Sequence, residues 1–162
     1  MINQDLSNMC ITIRYAHRGD YQAIGDIEAE SFIDPWLPEV IAWSVSRQHA
    51  TAIVAEWQGE VVGYAIYLLE GQAELSCIKV HRLAVAESVR RCGVGGMLLD
   101  DIFGRLTMVR ETLVFPVRES NLTAQLWLRE YGIKCWYISH GYYAEGEDAY
   151  VFEIDMGDDF GD

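Results

Sequence analysis

The sequence is poor in positive charge. Twelve Lys and Arg stand against 25 Asp and Glu, a net charge of −13 over 162 residues. A nucleic-acid backbone is held by clustered Lys and Arg, so no nucleic-acid partner is expected. Long apolar runs are also missing. The longest, "VVGYAIYLL", falls far short of the ~20 residues that a membrane-spanning helix needs, and no membrane partner is expected. The first residues, "MINQDLSNMC", lack the charged-then-apolar layout of a secretory leader; the expectation is a soluble, cytoplasmic protein. Cysteine is sparse and scattered. Cys10, Cys77, Cys92 and Cys135 form no Cys-x-x-Cys pair, and the four histidines show no ligand spacing. No metal site is therefore expected, and the cysteines are read as small buried apolar side chains. With three prolines, no repeat and no low-complexity linker, residues 1–162 are expected to form a single domain, frayed at 1–9 and 156–162.

What is present is enough for a core, because 51% of the residues are apolar. "CITIRYA" alternates like a strand, and "RGDYQAIGDIEAESF" follows as a helix with Asp20 as its cap. "DPWLPEVIAWSVSRQH" gives a second short helix with Pro38 in the first turn. "TAIVAEW", "GEVVGYAIYLLEG" and "LSCIKVHRLAV" read as three successive strands, the first two joined by a hairpin at "WQGE". Leu98, Leu99, Ile102, Phe103 and Leu106 make one helical stripe. "TLVFPV" is a strand, and "NLTAQLWLREYG" is a helix capped by Ser120 or Asn121 and stopped by Gly132. "CWYISHGYY" and "AYVFEIDM" close the chain as strands. The order β-α-α-β-β-β-α-β-α-β-β predicts an α/β fold of mixed sheet flanked by helices.

Between a strand and an amphipathic helix lies "VRRCGVGG", residues 89–96. Gly-x-Gly alone says little, since chance gives about one such pair in a chain this rich in glycine. Requiring Arg three residues before the first glycine cuts that expectation to about 0.07. The run is not a dinucleotide fingerprint, because position 98 is Leu, and no Gly-Lys-Ser/Thr follows. What remains is either a tight turn or a helix N-terminus whose free N–H groups attract phosphate. Gly93 and Gly95 would let the backbone approach a phosphate closely, and Arg90 or Arg91 would add charge-assisted bonds. The placement favours a diphosphate cradle.

That element, Arg90-x-x-Gly93-x-Gly95 after "HRLAV", resembles the acetyl-coenzyme A signature of the GNAT superfamily of N-acetyltransferases. The resemblance extends over nearly the whole chain, through "ESN" at 119–121 and "GYYAEGEDAYVFEID" near the end. "SFIDPW" at 31–36 and "GYY" at 141–143 are similar to the bacterial enzymes that acetylate the N-terminal alanine of a ribosomal protein. The resemblance implies a GNAT fold, a splayed mixed sheet with about four helices. It implies acetyl-CoA as cofactor, its pantetheine arm on the backbone of Leu83, Ala84 and Val85. The diphosphate would lie on the loop of Arg90, Arg91, Gly93, Val94, Gly95 and Gly96, with Asn121 touching the cofactor from the next helix. Pro116, in a strand beside the expected splay, would forfeit no ladder hydrogen bond. Two departures stand out. In those ribosomal-protein enzymes the position of Pro116 is a glutamate proposed as general base, and that of Leu128 a tyrosine proposed as general acid.

Substitutes are available in the sequence. Tyr142 and His81 are the catalytic candidates, Tyr142 because "GYY" borders the substrate cleft by resemblance and His81 because its ordinary pKa suits a base. The alternation of "KVHRLAV" puts His81 and Arg82 on opposite faces unless a bulge swaps them. Glu74 and Glu119 could act through water, and Tyr131 is read as core. Phe32 and Trp36 are expected to wall an apolar slot for the acceptor, with Tyr143 also contacting substrate. The expected reaction moves acetyl from acetyl-CoA to a primary amine by direct attack, without a covalent enzyme intermediate. A protein or peptide N-terminus is the favoured acceptor, and the acidic charge suits a basic one. A polyamine-like small amine and a non-catalytic acyl-CoA sensor remain as alternatives, and a homodimer is an open expectation.

Overall fold

In a computed structural model of the chain, residues 10–71, 76–106 and 112–155 are described. The ends expected to fray, Glu74 and the side chain of Leu106 lie outside what is described. The strands are β1 (Thr12–Tyr15), β2 (Ala50–Trp57), β3 (Glu60–Glu70), β4 (Cys77–Val85), β5 (Thr112–Arg118), β6 (Lys134–Ser139) and β7 (Ala149–Asp155). The helices are α1 (Tyr21–Ser31), α2 (Pro38–Ser46), α3 (Val94–Leu106) and α4 (Leu122–Glu130). The chain order is the expected one, with 3-10 turns added at Arg18–Asp20 and Glu87–Val89. One seven-stranded mixed sheet runs β1-β2-β3-β4-β5-β7-β6.

The chain divides into two compact units. One holds the described residues up to Tyr67 together with Arg82–Arg105. Its core is built from Ile24, Ile27 and Ile41 of the first two helices against Ala52, Val54, Tyr64, Ile66 and Ala84 of the strands. The β2–β3 hairpin turns at Gln58 and Gly59, with φ of 53° and 82°, the left-handed pair that a two-residue turn requires. Helix α3 buries Val94, Leu98, Leu99 and Ile102. Gly63 lets its first turn come close, since a Cβ there would meet Val94 Cγ1 at 3.2 Å and Ala84 O at 3.3 Å.

The second unit holds Leu68–His81 and the described residues from Leu106 onward. Strands β4 and β5 pair in parallel, Cys77–Lys79 against Thr112–Val114. Pro116 lies two residues past that register and sits opposite Val151 of β7 in the antiparallel ladder. Asn121 is the cap of α4, its side-chain oxygen accepting from Ala124 N at 3.1 Å.

Three expectations need correction. Asp20 occupies the N-cap position of α1 but makes no side-chain cap bond to it; its carboxylate accepts two bonds from Arg14, at 2.8 and 2.9 Å, and one from His17 N at 2.8 Å. A bidentate charge-assisted pair outcompetes a neutral amide, and it lowers the Asp20 pKa. None of the cysteines is buried: Cys10 and Cys135 are exposed, Cys77 and Cys92 half-buried. Cys135 sits on β6, the last strand of the sheet, whose residues through Ile138 are exposed. Tyr131 is not core but 38% exposed, stacked at 5.1 Å on Trp127, four residues earlier on the same helix face.

Candidate active site

In the first unit, the end of β4 and the glycine loop form one element. Val85 O accepts from Arg90 Nε at 3.0 Å, and the same guanidinium donates to Ser31 Oγ at 3.0 Å. Arg90 therefore braces the loop against α1, while Arg91 is exposed in a left-handed conformation at φ 63°. Gly93 follows at φ 83°, with open space where a Cβ would stand. Its carbonyl accepts the first helical bond of α3, from Met97 N at 3.1 Å. The N–H groups of Val94, Gly95 and Gly96 thus occupy the first turn, where no intrahelical acceptor exists. A helix of 13 residues behind them adds its dipole. An anion such as a diphosphate fits this element, and Arg91, exposed, stands in the loop just before it.

Strand β4 keeps strict alternation from Cys77 to Val85, with Ile78, Val80, Arg82 and Ala84 buried. No bulge swaps His81 and Arg82. Arg82 is on the buried row, and Leu83 and Val85 fall on the row of Cys77, Lys79 and His81. Ala84 is packed into the core of the first unit, so only its backbone is left for a ligand.

The second unit carries a cleft of about 330 Å³. Pro116, Val114 and Val151 form part of its wall, with Tyr137 from β6, Tyr142 from the turn that follows, and Cys77 and Lys79 from β4. Two carboxylates line it, Glu70 and Glu153. Pro116 faces the cleft from the position where the resembled enzymes carry a glutamate. Leu128, in place of their tyrosine, is buried at 2% exposure.

Tyr142 lines the cleft and lies edge-on to Tyr143 at 5.0 Å. Lys79 hydrogen-bonds to the Tyr142 hydroxyl, with its nitrogen 5.4 Å from the ring centre and 3.8 Å from Glu70. Burial pulls the Lys79 ammonium down, but the Tyr142 hydroxyl and the Glu70 carboxylate outweigh it and the pKa is raised. Lys79 therefore stays charged at neutral pH. His81 stands outside the lining, its Nε2 3.6 Å from Glu70 Oε1. Tyr143 turns from the cleft to Arg118, whose guanidinium carbon is 3.9 Å from the ring centre. Its hydroxyl reaches the Pro116 carbonyl at 3.5 Å. Glu119 meets Tyr150 at 3.5 Å and is not in the cleft lining. Phe32 and Trp36 do not enclose an open slot, because the Arg82 guanidinium carbon sits 4.4 and 4.6 Å from their ring centres.

Sequence reasoning missed Glu70, Glu153 and Lys79. Only strand pairing brings Glu153 opposite Val114 and Lys79 beside that same residue, and no local spacing carries that information.

The profile of the Acetyltransferase (GNAT) family matches residues 13–133. The chain belongs to the GNAT acetyltransferase family. It is similar to the N-alpha-acetyltransferase RimI of Mycobacterium tuberculosis, 30% identical over 91% of this chain and 94% of that protein. Among solved structures it resembles the ribosomal-protein-S18-alanine N-acetyltransferase of Escherichia coli, with a TM-score of 0.75 and 24% identity over 90% of this chain and 94% of the other. A second likeness is to NAA60 of Arabidopsis thaliana in complex with acetyl-CoA, with a TM-score of 0.78 and 17% identity over 91% of this chain and 99% of that one. The GNAT protein described here is an acyltransferase whose mixed seven-stranded sheet and four helices match those neighbours. Among the described residues no helix is long and apolar enough to cross a membrane.

Proposed function

We propose that this GNAT protein acetylates the α-amine of a protein or peptide N-terminus with acetyl-CoA. The observation that carries the choice of acceptor is Pro116 in the cleft wall, at the position where the resemblance places a carboxylate base. An α-amine has a pKa of about 7.7–8.0, so roughly a tenth of it is already neutral at pH 7. A polyamine or lysine amine near 10.4 is neutral to less than ~0.1% and depends far more on a dedicated base. A cleft without that glutamate therefore suits the α-amine over the small-amine alternative.

In this reading the first turn of α3 and Arg91 hold the diphosphate, and the backbone of Leu83–Val85 holds the pantetheine arm. Asn121 contributes from the start of α4. The neutral amine attacks the thioester carbonyl, the C–N bond forms and the C–S bond breaks, and coenzyme A leaves as thiolate. The surplus amine proton passes to Glu153, or to Glu70 with His81 behind it. The thiolate takes a proton from the Tyr142 hydroxyl, which the hydrogen bond from Lys79 holds in place. Glu70 and Glu153 also attract the ammonium form of the acceptor.

Calorimetric titration with acetyl-CoA, followed by thiol release with N-terminal peptides and with polyamines, tests this. One-to-one binding with release on peptides is the expected result. Release on polyamines alone would reassign the acceptor, and binding without any release would leave a sensor. No binding overturns the cradle itself.

A further inference from the structure

Helix α1 carries a carboxylate on its apolar stripe. Ile24 and Ile27 face the core, and Glu28 shares that face at 0% exposure. Burial raises its pKa against the opposing pull of Arg82. Tyr64 donates its hydroxyl hydrogen to Glu28 Oε1, Trp36 N donates to Oε2 at 2.8 Å, and Arg82 Nε lies 3.6 Å away. Arg82, 8% exposed, donates in turn to the Asp34 carbonyl at 2.9 Å and packs against the rings of Phe32 and Trp36. The segment between α1 and α2 is thus tied at Asp34 and at Trp36 by the two members of one buried pair. Hydrophobic packing alone would not need this. A buried ion pair contributes little net stability compared with apolar side chains of the same volume, but its directional bonds fix a loop in one geometry.

We infer that Glu28 and Arg82 are positioning residues that set the geometry of the 32–36 segment and thereby the range of acceptors the enzyme takes, without governing its hold on acetyl-CoA. The inference rests on the reading that this segment borders the acceptor.

The variants are Arg82→Lys, which keeps the charge but loses the planar fork and ring stacking, and the double variant Glu28→Gln with Arg82→Met, which removes both charges together. For each, three quantities are measured: amide exchange of the 32–37 segment, KM and kcat for an N-terminal peptide, and acetyl-CoA affinity by calorimetry. The expected result is faster exchange in that segment and a KM for peptide raised about tenfold, with kcat and acetyl-CoA affinity within about twofold of wild type. Unchanged exchange overturns the positioning role, and so does faster exchange with an unchanged KM. A parallel loss of acetyl-CoA affinity overturns the selectivity for acceptor. If the wild-type enzyme acetylates no peptide, the acceptor reading has failed instead, and the inference about acceptor range falls with it. Thermal melting of both variants checks that they fold.

Discussion

Pro116 and Leu128 stand where the resemblance places a glutamate and a tyrosine proposed for proton transfer. Pro116 completes an apolar cleft wall beside Val151, and Leu128 is packed into the interior. A positioned acid or base contributes about 10²–10⁴-fold, so the remaining burden falls on groups that can still reach the reacting atoms. Tyr142 is the one hydroxyl of the "GYY" run that lines the cleft, with Lys79 bonded to it. Replacing Tyr142 by Phe deletes that hydroxyl and nearly nothing else. The expected outcome is a fall in kcat of about 10–100-fold with acetyl-CoA affinity unchanged, read by steady-state kinetics beside calorimetry. An unchanged kcat would move the acid to another group.

The turn between β6 and β7 is closed by backbone bonds, from Tyr143 N to Glu147 O at 3.1 Å and from Gly146 N to Tyr143 O at 2.8 Å, and braced by carboxylates. Glu147 accepts from Ser120 N at 2.9 Å and pairs with Arg118 at 2.7 Å, and Glu145 pairs with the same guanidinium. Asp148 accepts from Gly141 N at 2.8 Å and faces His140 at 2.8 Å. The bonds to Ser120, then Arg118, hold the Glu147 pKa at about 2, against an ordinary 4.5. The Gly141 amide and then His140 lower that of Asp148. Both groups have lower pKa values folded than unfolded, so their support is complete above the ordinary carboxylate range. It is lost as pH falls from about 4.5 toward 2. The protection factor of the Gly141 amide, corrected for intrinsic exchange, should collapse across that window while amides of the β5–β7 ladder keep theirs. Loss of both together would mean that the turn has no separate pH response. Since Tyr142 and Tyr143 ride on this turn, activity should fail in acid before the fold does.

At the level of the whole molecule, a net charge of −13 creates a field that reaches a Debye length or more from the surface. Such a field attracts cations and is screened by salt. With peptides that carry Lys or Arg near the N-terminus, kcat/KM should fall about threefold or more between about 50 and 500 mM salt. A neutral peptide of the same first residue should change little. Equal salt dependence for both peptides would show that the charge serves solubility and not acceptor capture.

The order of helices and strands, the hairpin at Gln58–Gly59, the cap at Asn121 and the stripe of α3 were all legible in the sequence. Each depends on a period or on a turn residue within a few positions, which is where local sterics act. The glycine loop opening α3 was legible for the same reason, because strand, glycine loop and helix start are contiguous. The acceptor side was not. Asp20 turned from a cap to Arg14, and Arg90 from the diphosphate candidates to Val85 and Ser31. Arg82 filled the space that Phe32 and Trp36 alone would leave between them. A charged side chain has several partners within reach of its backbone position, and only the packed fold decides which is nearest. Glu153 and Lys79 meet in one cleft solely because β5 pairs with β7 on one edge and β4 on the other. The sequence by itself determined the elements and the glycine turn that opens α3, through periodicity and local backbone preference. The tertiary structure alone decided which charges line the cleft, because strand register and side-chain pairing join residues that are far apart along the chain.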